Sequence, residues 1–512
     1  MAPESNVATR RATLLPIAVG AVLVASVVLR FWTRSDLWFD EALSVNIANL
    51  PMSRIPDALR HDGHPPLYYF LLHFWIDAFG IGDMAVRSLS GILSLATLPL
   101  AWFAGRRLGG RSLAWIAVVV FATSPFAFRY ATEARMYALV MLLVTGGYLA
   151  LRRALEAPTI GRLALVAVIT AGLELTQYWN LYLVAIVGAG VVYRWWRAGE
   201  PSERHAASRV TAAMVVGSLA FVAWLPAFLD QLAHTGTPWG DPQFPWVVVP
   251  RSLIAFAGSE FDGEAYMLGF ALLVLPLLAV FGRAVDERRI ELDIRTRPAV
   301  RWEAAAAVGV LLLGSAISYM SDTTFAPRYA ASMYPLFALV AAFGITLFVN
   351  PRARLGIVAI VVVLGVIGGL RNVTHERTQA KEAAEVIVRG AEQGDVVAYC
   401  SDQLGPDVGR LLRDVEGIEQ VTFPDLASPE RVNWSDYLDR VRRADPRAFV
   451  TEVLARAGDH TVWFVWRPML NHVEGECLAI GTALDEARGG EIRVFPSDEI
   501  LEVRALTEYA AP

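Results

Sequence analysis

Mostly apolar runs of 17 to 21 residues recur along this chain, and no other feature restricts its fold as much. A run of that length crosses the hydrocarbon core of a bilayer as a helix, because only a helix satisfies its own backbone hydrogen bonds there. Runs fall at residues 12–32, 85–104, 112–130, 136–152, 161–177, 179–196, 210–229, 265–283, 302–320, 330–349 and 355–371, which makes eleven expected spans. With 55% hydrophobic residues among 512, the composition agrees with a polytopic membrane protein. The net charge of −5 and the lack of a basic block give no footprint for nucleic acid. The first run has no small-residue cleavage site after it and is read as an uncleaved helix.

Arginine placement orients the spans. Arg10-Arg11, residues 106–111, Arg152-Arg153, Arg162 and residues 194–209, 283–301 and 352–354 fall on one side, expected to be cytoplasmic. Loops 33–84, 129–135, 230–264 and 321–328 then fall outside, with everything after about residue 372. This alternation requires that Leu67–Gly80, at 14 residues short for a span, lie along the outer face. A crossing there would make twelve spans and invert the arginine bias. After Arg371 the chain turns polar, and short runs such as 395–400 and 460–466 alternate with helical stretches. The expectation is therefore a mainly α bundle over 1–371 and an extracytoplasmic α/β domain over 372–512. The two cysteines, Cys400 and Cys477, both lie in that domain; a bridge and two free thiols are equally compatible with the sequence.

Polar chemistry gathers on the outer side. In loop 33–84, Asp40-Glu41 follows Trp38-Phe39, and His61, Asp62 and His64 precede Pro65-Pro66. A carboxylate beside aromatics at a membrane border suits a general base, although a solvated helix cap has the same sequence. The two prolines suit a helix's first turn, which places His64 at the positive end of that helix, where an anion is welcome. RYATEARMYAL at 129–139 brings Arg129, Glu133, Arg135 and Tyr137 into one outer loop, and Arg328-Tyr329 opens a later span. Arginine is the fork that fits phosphate oxygens, while a salt-bridge knot and an interface anchor are the plainer readings. Gln177 closes the fifth span beside Tyr178-Trp179 and is placed on the same chamber. No HExxH, DxD or Cys/His pattern indicates a metal.

An acidic pair after the first span, then HPPLYY, EARMYAL and a late PRY, together resemble the polytopic GT-C glycosyltransferases. The branch most similar contains the protein O-mannosyltransferases and the lipid A aminoarabinose transferase. The resemblance covers residues 10–370. It implies a sugar donor on polyprenyl phosphate and transfer at the outer face of the cytoplasmic membrane to a protein, lipid or polysaccharide. Carried over by motif, Asp40 is the base with Glu41 beside it, and His64, Arg135 and Arg328 bind the donor phosphate. His61, Glu133, Tyr137, Gln177 and Tyr329 are the remaining substrate-binding candidates. The position before the paired prolines is histidine here, where the lipid A branch has lysine. No cofactor is implied beyond the lipid-linked co-substrate, and the sugar transferred is a hexose or a pentose. Two other classes stay open: a transporter of lipid-linked sugars, and a silent membrane scaffold that binds cell-wall polymer. The gathering of polar residues at one face, without an inverted repeat, argues against the transporter.

Overall fold

The computed structural model describes residues 20–237, 240–258, 263–296, 298–467, 473–494, 497 and 500–511. Residues 12–19 of the first expected span lie outside them. Helix α1 occupies residues 20–28. The outer loop that follows is itself helical, with α2 Phe39–Ala48, α3 Ile55–Asp62 and α4 Leu67–Phe79. Next come α5 Asp83–Ala122, α6 Pro125–Ala131, α7 Tyr137–Glu156, α8 Ile160–Glu174 and α9 Trp179–Arg197. They are followed by α10 Pro201–Ser218, α11 Leu225–His234, α12 Pro245–Ala257 and α13 Gly263–Phe281. A short antiparallel hairpin, β1 Gly282–Ala284 and β2 Ile290–Leu292, leads to α14 Arg301–Met320, α15 Tyr334–Thr346 and α16 Pro351–Thr374.

Among the described residues, α5, α7, α10 with the turn after it, α14 and α16 are long and apolar enough to cross a membrane. Shorter apolar helices include α4, α12, α13 and α15. The chain is a multi-pass membrane protein. Two expected spans are joined in α5, where Gly109 and Gly110 leave helical backbone geometry and Gly110 takes φ +78°, so that the chain reverses between 85–104 and 112–130. A left-handed φ costs a residue without a Cβ little, which is why the reversal sits on glycine. Helices α11 and α12 differ from the expected plain outer loop at 230–264: their prolines sit in the first turn, and the loop carries its own apolar face.

Beyond α16 lies a five-stranded sheet in the order β4-β3-β5-β7-β6, with β3 Val396–Cys400, β4 Glu419–Thr422, β5 Val462–Trp466, β6 Glu491–Val494 and β7 Ala505–Tyr509. β3 pairs in parallel with β4 and β5, whereas β7 runs antiparallel to β5 and β6. Strand periodicity sends Val397, Tyr399, Trp463 and Val465 to one face, packed with Ala380, Ala384 and Ile387 of α17 Ala380–Gly390 and Val408 of α18 Gly405–Leu411. Val396, Ala398 and Phe464 pack on the other face, with Val441 of α19 Tyr437–Arg443, Val453 of α20 Pro446–Ala457 and Ile480 of α21 Glu474–Arg488. Both faces of β3 and β5 are therefore covered, as parallel strands require. A disulfide joins Cys400 at the end of β3 to Cys477 in α21.

The sheet domain is docked on the first outer loop. Phe39 N–H donates to Glu502 Oε2 at 3.2 Å, so a carboxylate from the C-terminal domain caps α2. Asn46 Nδ2 donates to Glu430 O at 2.8 Å, and Trp434 N–H donates to His61 O at 2.9 Å. Trp434 also meets Phe39 edge-on at 6.0 Å.

Candidate active site

Helix α2 places Asp40 and Glu41 on different sides, and their surroundings separate their roles. Glu41 is fully buried. Its carboxylate accepts from Arg87 Nε at 2.7 Å and Nη2 at 2.6 Å, and from Ala134 N–H at 2.8 Å, with Arg377 Nη1 at 3.9 Å. Burial pushes the carboxyl up, but the Arg87 and Arg377 charges outweigh it and hold Glu41 below the usual carboxylate range. Every strong acceptor position on Glu41 is thus taken by the protein. It ties α2, α5 and the 132–136 loop together.

Asp40 is held otherwise. Its Oδ2 lies 3.4 Å from Arg328 Nη1 and 3.8 Å from Arg135 Nη2, yet makes no hydrogen bond. Arg135 is buried and donates through Nη1 to Ser44 Oγ at 2.8 Å and to Asp40 O at 3.3 Å. The outermost nitrogen, Nη2, is 3.2 Å from His64 Nε2. A guanidinium only donates, so Nε2 accepts and the ring proton sits on Nδ1, which donates to Asp62 Oδ2 at 2.9 Å. Asp62 also accepts from Tyr69 O–H at 2.8 Å. Burial raises the Asp62 carboxyl, but the neighbouring His64 and Arg135 bring it below its ordinary range. Gly63 makes this relay possible, because its φ of +85° ends α3 and turns His64 back beside Asp62.

Trp38 forms the platform beside this cluster. Arg129 stands over its ring at 5.7 Å and Arg328 at 5.9 Å. Arg129 Nε also bonds Glu133 Oε2 at 3.1 Å, and burial pushes the Glu133 carboxyl up against the pull of Arg129. Arg328 lies 5.8 Å from the centre of the Tyr329 ring, which stacks on Trp179 at 5.6 Å. Burial lowers the affinity of Arg135 and Arg328 for the proton, but Asp40 more than compensates, and both stay charged.

Among the described residues, buried polar atoms without a hydrogen-bond partner gather here: Asp40 Oδ2, Arg135 Nε, Arg328 Nε, Tyr137 Oη, Trp38 Nε1 and Arg377 Nε, and both amide atoms of Gln177 in the α8–α9 turn are unpaired as well. Glu133 Oε1 joins them. Buried polar groups are nearly always paired, so a concentration of orphans of both signs marks a place built to receive a polar ligand.

Of the residues expected from the sequence, Asp40, His64, Arg135 and Arg328 converge. Tyr137 follows Arg135 at the start of α7, and Tyr329 is carried by Arg328. His61 does not join them: its Nδ1 meets Ser435 Oγ at 3.2 Å, on the docked C-terminal domain. Glu41 is a buried tie, and Glu133 is half of a buried pair. Four supporting residues were not foreseen. Asp62 has no pattern in the sequence that gives it a role, and Arg87, Arg377 and Glu502 lie far away in sequence. Arg377 donates to Thr132 O at 2.9 Å and Thr132 Oγ1 at 2.8 Å, and burial, then the nearby Arg129, lower its pKa to about 9. An arginine at the outer start of a span, as Arg87 is, was the one visible hint.

Membrane helices, helical outer loops and a docked sheet domain follow in this order, a fold shared with the solved structures named below. Residues 63–227 match the family described as dolichyl-phosphate-mannose-protein mannosyltransferase. Among solved structures, ArnT from Cupriavidus metallidurans in the apo state is similar over 99% of this chain and 100% of its own, with TM-score 0.59 and 13% identity. The same protein bound to undecaprenyl phosphate is similar over 98% of this chain and 99% of its own, with TM-score 0.57 and 12% identity. Compared by sequence with curated proteins, the chain matches none.

Proposed function

We propose that this protein is a membrane glycosyltransferase that moves a sugar from a polyprenyl-phosphate donor to an acceptor hydroxyl at the outer face of the cytoplasmic membrane. The observation that carries the reading is the orphaned cluster: a carboxylate oxygen without a hydrogen bond, faced by the buried Arg135 and the half-buried Arg328, each with N–H groups to spare. Supporting it are the family match over residues 63–227 and the likeness to a protein solved with undecaprenyl phosphate. The Cys400–Cys477 bridge supports an outer position for the C-terminal domain, since such bonds persist in oxidising compartments.

In this mechanism the donor phosphate settles between Arg135 and Arg328, while the Asp62–His64 relay keeps Arg135 aimed. The phosphate replaces Asp40 as partner of the two guanidinium groups, which frees Oδ2 to accept the proton of the acceptor hydroxyl. That oxygen attacks the anomeric carbon, the bond from that carbon to the phosphate oxygen breaks, and polyprenyl phosphate leaves with the electron pair. One displacement inverts the configuration. The arginines act where negative charge grows on the leaving phosphate, the position at which fixed cations lower a barrier most. Tyr137, Gln177 and Tyr329 are proposed to line the sugar. No metal enters this scheme.

The test is a transfer assay in membranes with radiolabelled polyprenyl-phosphate sugars, hexose and pentose, and products sorted into protein, lipid and polysaccharide. Label leaving one donor for one acceptor class, and lost in Asp40→Asn, supports the reading. Donors bound and never consumed by the wild type would refute it.

A further inference from the structure

A cavity of about 840 Å³ opens among α7, α8, α9 and α14. Its volume lies within the range of small-molecule sites, about 300–1,000 Å³. It is distinct from the Asp40 cluster. Helix α7 begins at Tyr137 beside that cluster, and Arg152 on the cavity lies fifteen residues further on, roughly 22 Å along the helix axis at 1.5 Å per residue.

The cavity is amphipathic along its depth. Its inner walls are apolar, among them Val144, Ile169, Leu173, Leu183, Val187 and Leu336. Its other end carries Arg152, Arg194, Arg197 and Arg301 against two acids, Glu203 and Glu303. Arg194 faces Glu203 at 3.7 Å and Arg152 faces Glu303 at 3.9 Å. Among the described residues, Arg197 and Arg301 have no acid partner, Arg301 standing over the Trp302 ring at 5.3 Å. Both are exposed at the rim, and Arg301 is the first residue of α14, where the helix dipole also favours an anion. On the arginine rule this rim faces the cytoplasmic leaflet, which is rich in anionic lipid.

We propose that this cavity holds one anionic phospholipid, its phosphate between Arg197 and Arg301 and an acyl chain along the apolar wall. Charge complementarity selects the headgroup, and the dry depth selects a tail over free phosphate. Basic pockets between transmembrane helices on the cytoplasmic side are recognised lipid-headgroup sites in general. The bland alternative is that the arginines only reach the interface as anchors. It explains the exposed rim and leaves the cavity behind it unexplained.

The experiment uses the full-length protein in mixed vesicles of phosphatidylglycerol and phosphatidylcholine, extracted gently and weighed intact by native mass spectrometry. The expected result is one retained phosphatidylglycerol. Its retention weakens roughly thirtyfold in Arg197→Gln/Arg301→Gln, at about one surface arginine's worth of attraction each. It also weakens in Val187→Phe, which fills the cavity and keeps the rim. Arg209→Gln, which removes an exposed arginine away from the cavity, retains the lipid. Thermal unfolding of each variant separates lost lipid from lost fold. Equal retention of phosphatidylcholine, unchanged retention in the double variant, or displacement by inorganic phosphate alone would each overturn the proposal. None of these outcomes depends on whether the Asp40 site transfers sugar.

Discussion

Replacing Glu41 by Gln separates a structural role from a catalytic one. The side chain keeps its size and one carbonyl oxygen, which continues to accept from Ala134 N–H. It loses the charge that neutralises Arg87 at 2.6 Å and Arg377 at 3.9 Å, both buried. Removing one partner of a buried ion pair leaves an uncompensated charge and costs about 3–5 kcal/mol. The fully buried geometry puts Glu41→Gln toward the upper part of that range, because two cations lose their partner. In detergent, heat unfolding of such a protein is best read as a rate. The variant is expected to lose its folded form much faster at a fixed temperature, and to lose transfer with it. In a double-mutant cycle, Glu41→Gln/Arg87→Gln costs clearly less than the two single changes together. A variant that unfolds like wild type but transfers no sugar would refute the assignment and make Glu41 a direct participant in the chemistry.

Glu502→Ala removes the carboxylate that caps α2 and also pairs with the buried Arg504 at 3.1 Å, so it is expected to cost more than the ~1 kcal/mol of a cap alone. Because α2 carries Asp40, transfer should fall more than stability does, measured as kcat beside the unfolding rate. Cys400→Ser opens a bridge spanning 77 residues, worth about 4.5 kcal/mol on the chain-entropy account. Proteolysis should then cut the C-terminal domain sooner, and reducing agent should do the same to the wild type. Burial pushes the Asp402 carboxyl up to about 7, although Tyr437 O–H donates to it at 2.8 Å. A folded-state pKa above the unfolded value means that the folded state holds the extra proton. Its stabilisation is complete below about pH 4 and is lost as pH rises toward 7, at about 1.4 kcal/mol per pH unit. Asp402→Asn should remove one proton's worth of that slope, read from unfolding at pH 5 and pH 8.

Most of the bundle was legible because the spacing of apolar residues is a local property. The runs at 136–152, 179–196 and 302–320 became α7, α9 and α14 with ends displaced by at most four residues. The turn at 106–111 between the spans 85–104 and 112–130 falls where the sequence puts it, at Gly109-Gly110, whereas α12 hides in a loop without clear polarity. The site was legible where a motif carries its own turn. His64 before two prolines and Arg135 before Tyr137 come together beside Asp40. The support was illegible because it comes from across the chain. Glu41 and Arg87 are 46 residues apart, and Phe39 and Glu502 are 463 apart. Neither pair leaves a local signature. The same reason explains His61, which looks equivalent to His64 in sequence until its ring meets Ser435 of the C-terminal domain.

The central claim is a division of labour, in which Asp40 moves a proton while Arg328 holds a phosphate. Donor affinity and single-turnover transfer, measured side by side for Asp40→Asn and Arg328→Gln, test it most directly. Asp40→Asn removes a negative charge from an anion site, so it should bind the polyprenyl-phosphate sugar as well as wild type or better, while transfer falls about 10²–10⁴-fold. Arg328→Gln should lose donor affinity and transfer together. If Asp40→Asn instead loses donor binding and still transfers whatever it binds at the wild-type rate, Asp40 is a binding group and the account is wrong.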